Sequence, residues 1–230
     1  GSEMCIRDSR KTAVGKVSVG VIPTFSFSLL PEVLGRLRQE KDDTHTIVYI
    51  HNTPAIVDAV RLQQFDIGIV SRSPPYLGVH SLYQTEVNYV ALVPQNHSLA
   101  ASKDRLDLRE VAGREEFITF GNVYPLEMQG MDEDLAAQFQ NKARYSVANV
   151  LAATALVRAV GVPALVDPFS ARMSASAGGM VVRPIQQKLT YHIGIITRGI
   201  EVMNRETRQL ADALISKFEA DPLIVADGQS

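Results

Sequence analysis

Cysteine is nearly missing: one of the 230 residues is a cysteine, Cys5. No internal disulfide can form, and such usage fits a reducing, cytoplasmic compartment. An excess of positive charge is missing too. A formal net charge of −2 argues against this chain itself gripping a phosphate backbone. No secretory leader is visible. The longest apolar run, Val150 to Val166, is interrupted by Arg158 and Pro163 and makes a poor membrane span. Histidines stand apart at 45, 51, 80, 97 and 192, without a second ligand at metal spacing. There is no GxSxG, no Walker A string and no GxGxxG after a strand, and Gly178-Gly179 reads as a turn. Glu115-Glu116 and Asp132-Glu133-Asp134 read as solvated faces rather than catalytic dyads. These absences leave no metal site, no cofactor and no catalytic residue to expect, and hence no enzyme.

What is present is apolar content. At 46% hydrophobic residues the chain can bury a sizeable core, as one large domain or as two lobes of roughly 100 residues each. Residues 1–13 are set aside as a foreign leader, because Gly1-Ser2 resembles a cloning scar and Glu3 to Ser9 follows no helical or strand period. The chain then opens abruptly, so a preceding domain is expected to have been cut away.

The organising stretch is Lys16 to Leu37. Val17, Val19, Val21 and Ile22 form a β-branched run suited to a strand covered on both faces. Leu30, Val33, Leu34 and Leu37 then recur at helical spacing. Between them lie Thr24, Ser26 and Ser28, hydroxyls expected at the first turn of that helix, where unpaired N–H groups and the dipole can hold a carboxylate. Ser26 or Ser28 can equally serve as a plain N-cap.

Further along, Thr44 to Ile50 has mixed faces and reads as an edge strand. Thr53-Pro54 opens a helix, with Thr53 as N-cap. Phe65 to Val70 is a third buried strand, ending in the polar loop Ser71 to Pro75. Strand and helix alternating in this way imply βαβ units and a parallel sheet. Ligands of such sheets sit beyond the carboxyl ends of the strands. The polar ends are Thr24-Ser26, Asn52-Thr53 and Ser71-Ser73. Val79 to Val93 holds one or two strands, Leu106 to Val111 a short helix, and Glu116 to Phe120 and Ala143 to Val147 further strands. Leu126 to Phe139 is a helix of modest quality; Asn149 caps a strong one running to Val160. Pro163 to Val166, Met180 to Ile185 and Leu189 to Thr197 are strands, and a last amphipathic helix covers Met203 to Phe218.

Four strings carry a resemblance: S-x-x-L-L-P at Ser26 and Leu29 to Pro31, F-D-I-G-I at Phe65 to Ile69, V-P-Q-N-H-S-L-A at Val93 to Ala100, and L-V-R-A-V-G-V-P-A-L-V-D-P at Leu156 to Pro168. In order and spacing over about residues 15 to 220 the chain resembles the effector-binding domain of LysR-type transcriptional regulators. Ser98 stands where that family usually has proline, and Pro163 where it usually has glycine. The resemblance implies a type-2 periplasmic-binding-protein-like α/β fold: two Rossmann-like lobes, each with a central mixed sheet, joined by two crossing strands near Tyr89 to Leu92 and Gly194 to Thr197. Lobe I would take residues 14–91 and 197–222, lobe II residues 92–196, and 223–230 would be a tail.

The resemblance also implies a small-molecule effector in the interlobe cleft. By position, Thr24, Phe25 and Ser26 would contact it from the first strand–helix turn, Thr53 from the second helix start, and Ser71 or Arg72 from the third strand's end. Phe120, Gly121, Asn122, Asn149, Asp167 and Pro168 would face them from the second lobe. The string V-D-P-F-S-A at Val166 to Ala171 looks like regulators that sense amino acids or opines, such as those of nopaline and octopine catabolism. Asp167 would suit an ammonium or guanidinium; read locally, it is equally the N-cap of the helix after it. The family's partners would be a second copy in a homodimer, a homotetramer at full length, and DNA only through an N-terminal domain absent here; no membrane is implied. Thr44 to Ile50 is a candidate dimer surface, or an edge blunted by its own threonines and histidine. A solute-binding protein feeding a transporter is the competing reading on this fold. An enzyme resembling prephenate dehydratases in architecture is a third, without an acid–base pair to support it.

Overall fold

The computed structural model describes residues 15–40, 43–71, 77–101, 104–121 and 130–227. Arg72, Asn122 and the leader with Cys5 lie outside them. Two sheets organise the chain. The first is built around β1 (Lys16–Val21), which pairs in parallel with both β2 (His45–Ile50) and β3 (Ile67–Val70). Val17, Val19 and Val21 are completely buried, as a strand with neighbours on both edges requires. β4 (His80–Asn88) and β8 (Thr190–Thr197) complete the order β2-β1-β3-β8-β4, with β8 antiparallel to both its neighbours. The sheet is therefore mixed.

The second sheet is antiparallel, with β5 (Val90–Pro94) between β6 (Ala164–Val166) and β7 (Met180–Pro184). The strands expected at Glu116–Phe120 and Ala143–Val147 are reduced to single parallel bridges, Ile118 to Ala164 and Thr119 to Ser146.

Tyr89 alone separates β4 from β5, so the chain passes between sheets there. The return lies near Leu189, and the Tyr89 N–H donates to the Leu189 carbonyl at 2.8 Å, binding the two crossings together. The expected second crossing at Gly194 to Thr197 is thus displaced. Those residues are buried inside β8, a strand flanked on both sides within the first sheet, and cannot also serve as a connector.

Helices follow their caps. After β1 the chain turns helical at once: α1 (Pro23–Phe27) is separated from α2 (Leu29–Gln39) by Ser28 at φ −102°, ψ −83°. The Ser26 hydroxyl donates back to the Pro23 carbonyl at 2.8 Å and the Ser28 hydroxyl to the Thr24 carbonyl at 2.6 Å. Neither side chain caps a helix: Ser26 lies inside α1, Ser28 stands at the N-cap position of α2, and both hydroxyls bond to carbonyls rather than to the free N–H groups. α3 (Thr53–Arg61) is capped by Asn52, whose side-chain oxygen accepts the Ala55 N–H at 3.1 Å, so Thr53 is the first helical residue and not the cap.

α4 (Leu108–Ala112) and α5 (Glu133–Lys142) pack together in the second lobe. Asp132 caps α5, and Glu133 and Asp134 fill its first turn, where the dipole favours acids. The helix expected from Leu126 therefore begins later, with 126–129 outside the described residues. α6 (Val150–Val160) is capped by Asn149 and closed by Gly161 in the left-handed conformation, φ 72°. α7 (Pro168–Ser176), α8 (Arg205–Glu219) and α9 (Pro222–Asp227) follow.

α7 ties the halves together. Its Phe169 packs edge-on against Phe25 of α1 (5.2 Å) and Phe218 of α8 (6.3 Å). Its Arg172 makes a two-pronged pair with the buried Asp221 carboxylate, at 2.9 and 2.7 Å. At the far edge β2 leaves Val48, Tyr49 and Ile50 between 38% and 53% exposed, consistent with an edge strand.

Candidate functional site

Three parallel strands, β1, β2 and β3, end on the same side of the first sheet, and their polar ends meet there. The second lobe faces them with the starts of α6 and α7. Between the two lies a cleft of about 360 Å³, within the size range of small-molecule sites.

On the first wall, Thr53 is buried, and its hydroxyl accepts the Ser71 backbone N–H at 3.1 Å. That bond joins the end of β3 to the start of α3. On the facing wall, the Asn149 side chain accepts the Ala152 N–H at 3.0 Å. Asn52, Thr53, Asn149 and Val150 all line the cleft, so two helix starts from opposite lobes border one space. Both contribute positive dipole ends, a setting that suits a carboxylate.

Asp167 lies where the lobes touch. It is 2% exposed. One carboxyl oxygen accepts the Ser170 N–H at 2.8 Å, making it the cap of α7. The other accepts the Thr24 hydroxyl of α1 at 3.1 Å, and the Tyr191 hydroxyl of β8 donates to Thr24 at 3.3 Å. Burial pushes the Asp167 carboxyl above its ordinary range; hydrogen bonding from the Ser170 N–H and hydroxyl and from the Thr24 hydroxyl opposes this without cancelling it. Tyr89 meets Tyr191 edge-on at 5.3 Å, and both rings line the cleft where the crossings run.

Of the residues expected at the site, the structure brings Thr24, Thr53, Ser71, Phe120, Asn149 and Asp167 together around this cleft. Phe25 is turned away: it is fully buried between Phe169 and Phe218, because consecutive helical residues point about 100° apart and Thr24 takes the cleft side. Ser26 is spent on the Pro23 carbonyl. Gly121 stands at φ 54°, its carbonyl taken by the Gln140 side chain at 2.9 Å, and it does not line the cleft. Pro168 is the buried first residue of α7, behind Asp167 rather than beside it in the wall. Arg72 and Asn122 are outside the described residues.

Sequence reasoning missed His51, Tyr89, Tyr191, Val150 and Val166, all of which line the cleft. His51 directly precedes the polar pair Asn52-Thr53, and Tyr89 falls within a predicted crossing, so a signal existed for these two. Val150 and Val166 carry none, being apolar residues beside caps. Among the described residues no group of histidine, cysteine and acid side chains could hold a metal ion, and no helix is long and apolar enough to cross a membrane.

Comparison with known proteins gives a consistent result. The family model described as the LysR substrate binding domain matches residues 10–219. Transcriptional activator protein LysR of Escherichia coli (strain K12) is 26% identical over 214 residues, covering 92% of this chain and 66% of the relative. The uncharacterized HTH-type transcriptional regulator YdcI of the same organism is 30% identical over 94 residues, covering 41% of this chain and 29% of the relative. The chain thus spans just under two thirds of the length of the first of these relatives. Among solved structures, the effector-binding domain of QuiR in complex with shikimate superposes with a TM-score of 0.65 at 18% identity, covering 89% of this chain and 97% of that one. The reduced regulatory domain of OxyR2 from Vibrio vulnificus gives 0.71 at 14% identity, covering 89% and 96%. At such identities the likeness establishes a shared fold.

Proposed function

Since the chain belongs to the LysR substrate-binding-domain family, we propose that it is the effector-sensing part of a LysR-type transcriptional regulator and takes a small carboxylate or amino-acid-like effector in the interlobe cleft. The observation that carries this reading is the pair of helix starts, at Thr53 and Asn149, bordering one cleft from opposite lobes. A carboxylate placed between them takes hydrogen bonds from both lobes at once, and so favours the lobe arrangement in which both can reach it. Only such differential affinity lets a ligand shift a conformational equilibrium. Thr24, Ser71 and the Phe120 ring complete the proposed contacts. The shift would be passed on through pairing of copies, as a homodimer and, in the longer protein, a homotetramer, to a DNA-binding domain beyond this chain.

The opine branch rests on the V-D-P-F-S-A string. Its Asp-Pro-x-Ser core is also what a capped helix start requires, and Asp167 does cap α7. Opines therefore enter as one arm of a screen. A transporter's solute-binding protein is the second reading on this fold; the regulator relatives weigh against it.

The test is a thermal-shift screen of amino acids, opines and small dicarboxylates. A ligand at about a hundred times its dissociation constant stabilises by about 2.7 kcal/mol. The shift should shrink in Ser71→Ala and in Phe120→Ala. A ligand whose shift is equal in the parent and both variants would place binding elsewhere.

A further inference from the structure

Thr24 and Asp167 belong to different lobes and are both buried, yet they are hydrogen-bonded at 3.1 Å, with Tyr191 feeding Thr24 at 3.3 Å. Every donor in this chain points the same way, from Tyr191 through Thr24 to the carboxylate. We propose that the Tyr191–Thr24–Asp167 chain is a proton-dependent tie between the lobes, stronger when the Asp167 carboxyl is ionised than when it is neutral.

The surroundings support both states. In the ionised state the carboxylate accepts from Thr24 and from the Ser170 N–H. A neutral acid needs an acceptor for its own proton. The Ser170 hydroxyl, fully buried on the same helical turn, faces this carboxyl and can turn to accept its proton. The groups packed around Asp167 are uncharged hydroxyls: Thr24 on α1, Tyr191 on β8 and Ser170 on its own helix. Tyr89 stands behind Tyr191, and His51 lines the cleft. Arg172, the nearest cation on α7, is engaged with Asp221, whose carboxylate lies beyond the end of α8. Burial without a compensating cation among the described residues favours the neutral acid, in line with the upward direction of its pKa.

Two opposite slopes follow. A carboxyl raised in the folded state contributes stability that is fully present below its unfolded value and lost as pH rises through its folded value. The Thr24–Asp167 bond itself runs the other way, because charge-assisted hydrogen bonds are roughly twice as strong as neutral ones. If the cleft is the effector site, a cationic group brought beside Asp167 strengthens the tie and an anionic group loosens it; this clause alone rests on the function proposed above.

The test needs no ligand. With 13C-labelled aspartate in the whole chain, the Asp167 carboxyl resonance, assigned by its loss in Asp167→Asn, should titrate above the ordinary range of exposed aspartates. Asparagine keeps the cap of α7, so this variant should fold. In the parent, Thr24→Val should lower the unfolding equilibrium constant's margin tenfold or more at pH 8, and about fivefold below the Asp167 midpoint. In the Asp167→Asn background the cost should be equal at both. Should Thr24→Val not fold, Tyr191→Phe, which removes the upstream donor, should raise the Asp167 midpoint. An Asp167 midpoint within the range of the exposed aspartates, or a Thr24→Val cost independent of pH in the parent, would overturn the tie and leave the cleft reading untouched.

Discussion

Replacing Thr53 by valine isolates one bond at the centre of the candidate site. Valine keeps the shape of threonine and removes its acceptor. The Ser71 N–H then loses its 3.1 Å partner at the point where β3 hands the chain towards the cleft. An unsatisfied buried donor costs about 1–3 kcal/mol. Ser71 is half-buried, so water can partly replace the hydroxyl, which puts the cost near the lower end, about 1 kcal/mol. For a chain of this size that corresponds to a fall of roughly 2–4 °C in melting temperature.

The direct assay is amide hydrogen exchange. Protection of the Ser71 amide should drop by roughly five- to tenfold, the factor that about 1–1.4 kcal/mol represents. The Ile22 amide, which donates to the Ile69 carbonyl at 3.1 Å one strand away, should be unaffected and serves as the internal control. Unchanged protection at Ser71 would mean that Thr53 does not hold the end of β3, and the account of how this wall is built would fail.

Three further outcomes follow from the same geometry. Asn149→Ala removes the cap of α6 and should cost about 1 kcal/mol, read as a lower denaturation midpoint, with helix content nearly unchanged. Phe169→Ala empties the space between Phe25 and Phe218 and should cost about 3–5 kcal/mol in chemical unfolding; a loss under 1 kcal/mol would show that α7 is not anchored there. Burial alone would raise the Asp221 carboxyl, but the two Arg172 hydrogen bonds, the Leu223 N–H and the charges of Arg172 and Lys217 bring it below its ordinary value. A depressed carboxyl contributes stability above its unfolded pKa that is lost as pH falls through the folded one. Arg172→Gln should therefore destabilise the chain at neutral pH and flatten the acid limb of its stability profile, which pH-dependent unfolding would detect.

Much of the first lobe was legible because its determinants are local. The β-branched run of β1, the alternation of strand and helix, and the mixed faces of β2 are patterns that a strand's neighbours require whatever lies elsewhere in the chain. The polar strand ends Thr24, Thr53 and Ser71 could be located by the same logic, since parallel strands place their carboxyl ends together. Asn149 and Asp167 were readable as caps for the same reason: a helix start is decided within four residues.

Tertiary structure alone settled which way the side chains face and which distant groups they meet. Thr24 and Phe25 are adjacent and equally plausible in sequence; one reaches the cleft and the other the core only because Asp167 and Phe169 arrive from the opposite lobe. The partners of Thr24 lie 143 and 167 positions along the chain, beyond any periodicity. β8 was expected to cross between lobes because its apolar run marks a strand but not its neighbours, and the pairing with β3 and β4 assigns it to the first sheet. Local propensity therefore determined the elements and their polar tips. Long-range packing decided the crossing, the orientation of each tip, and the burial that raises the pKa of Asp167.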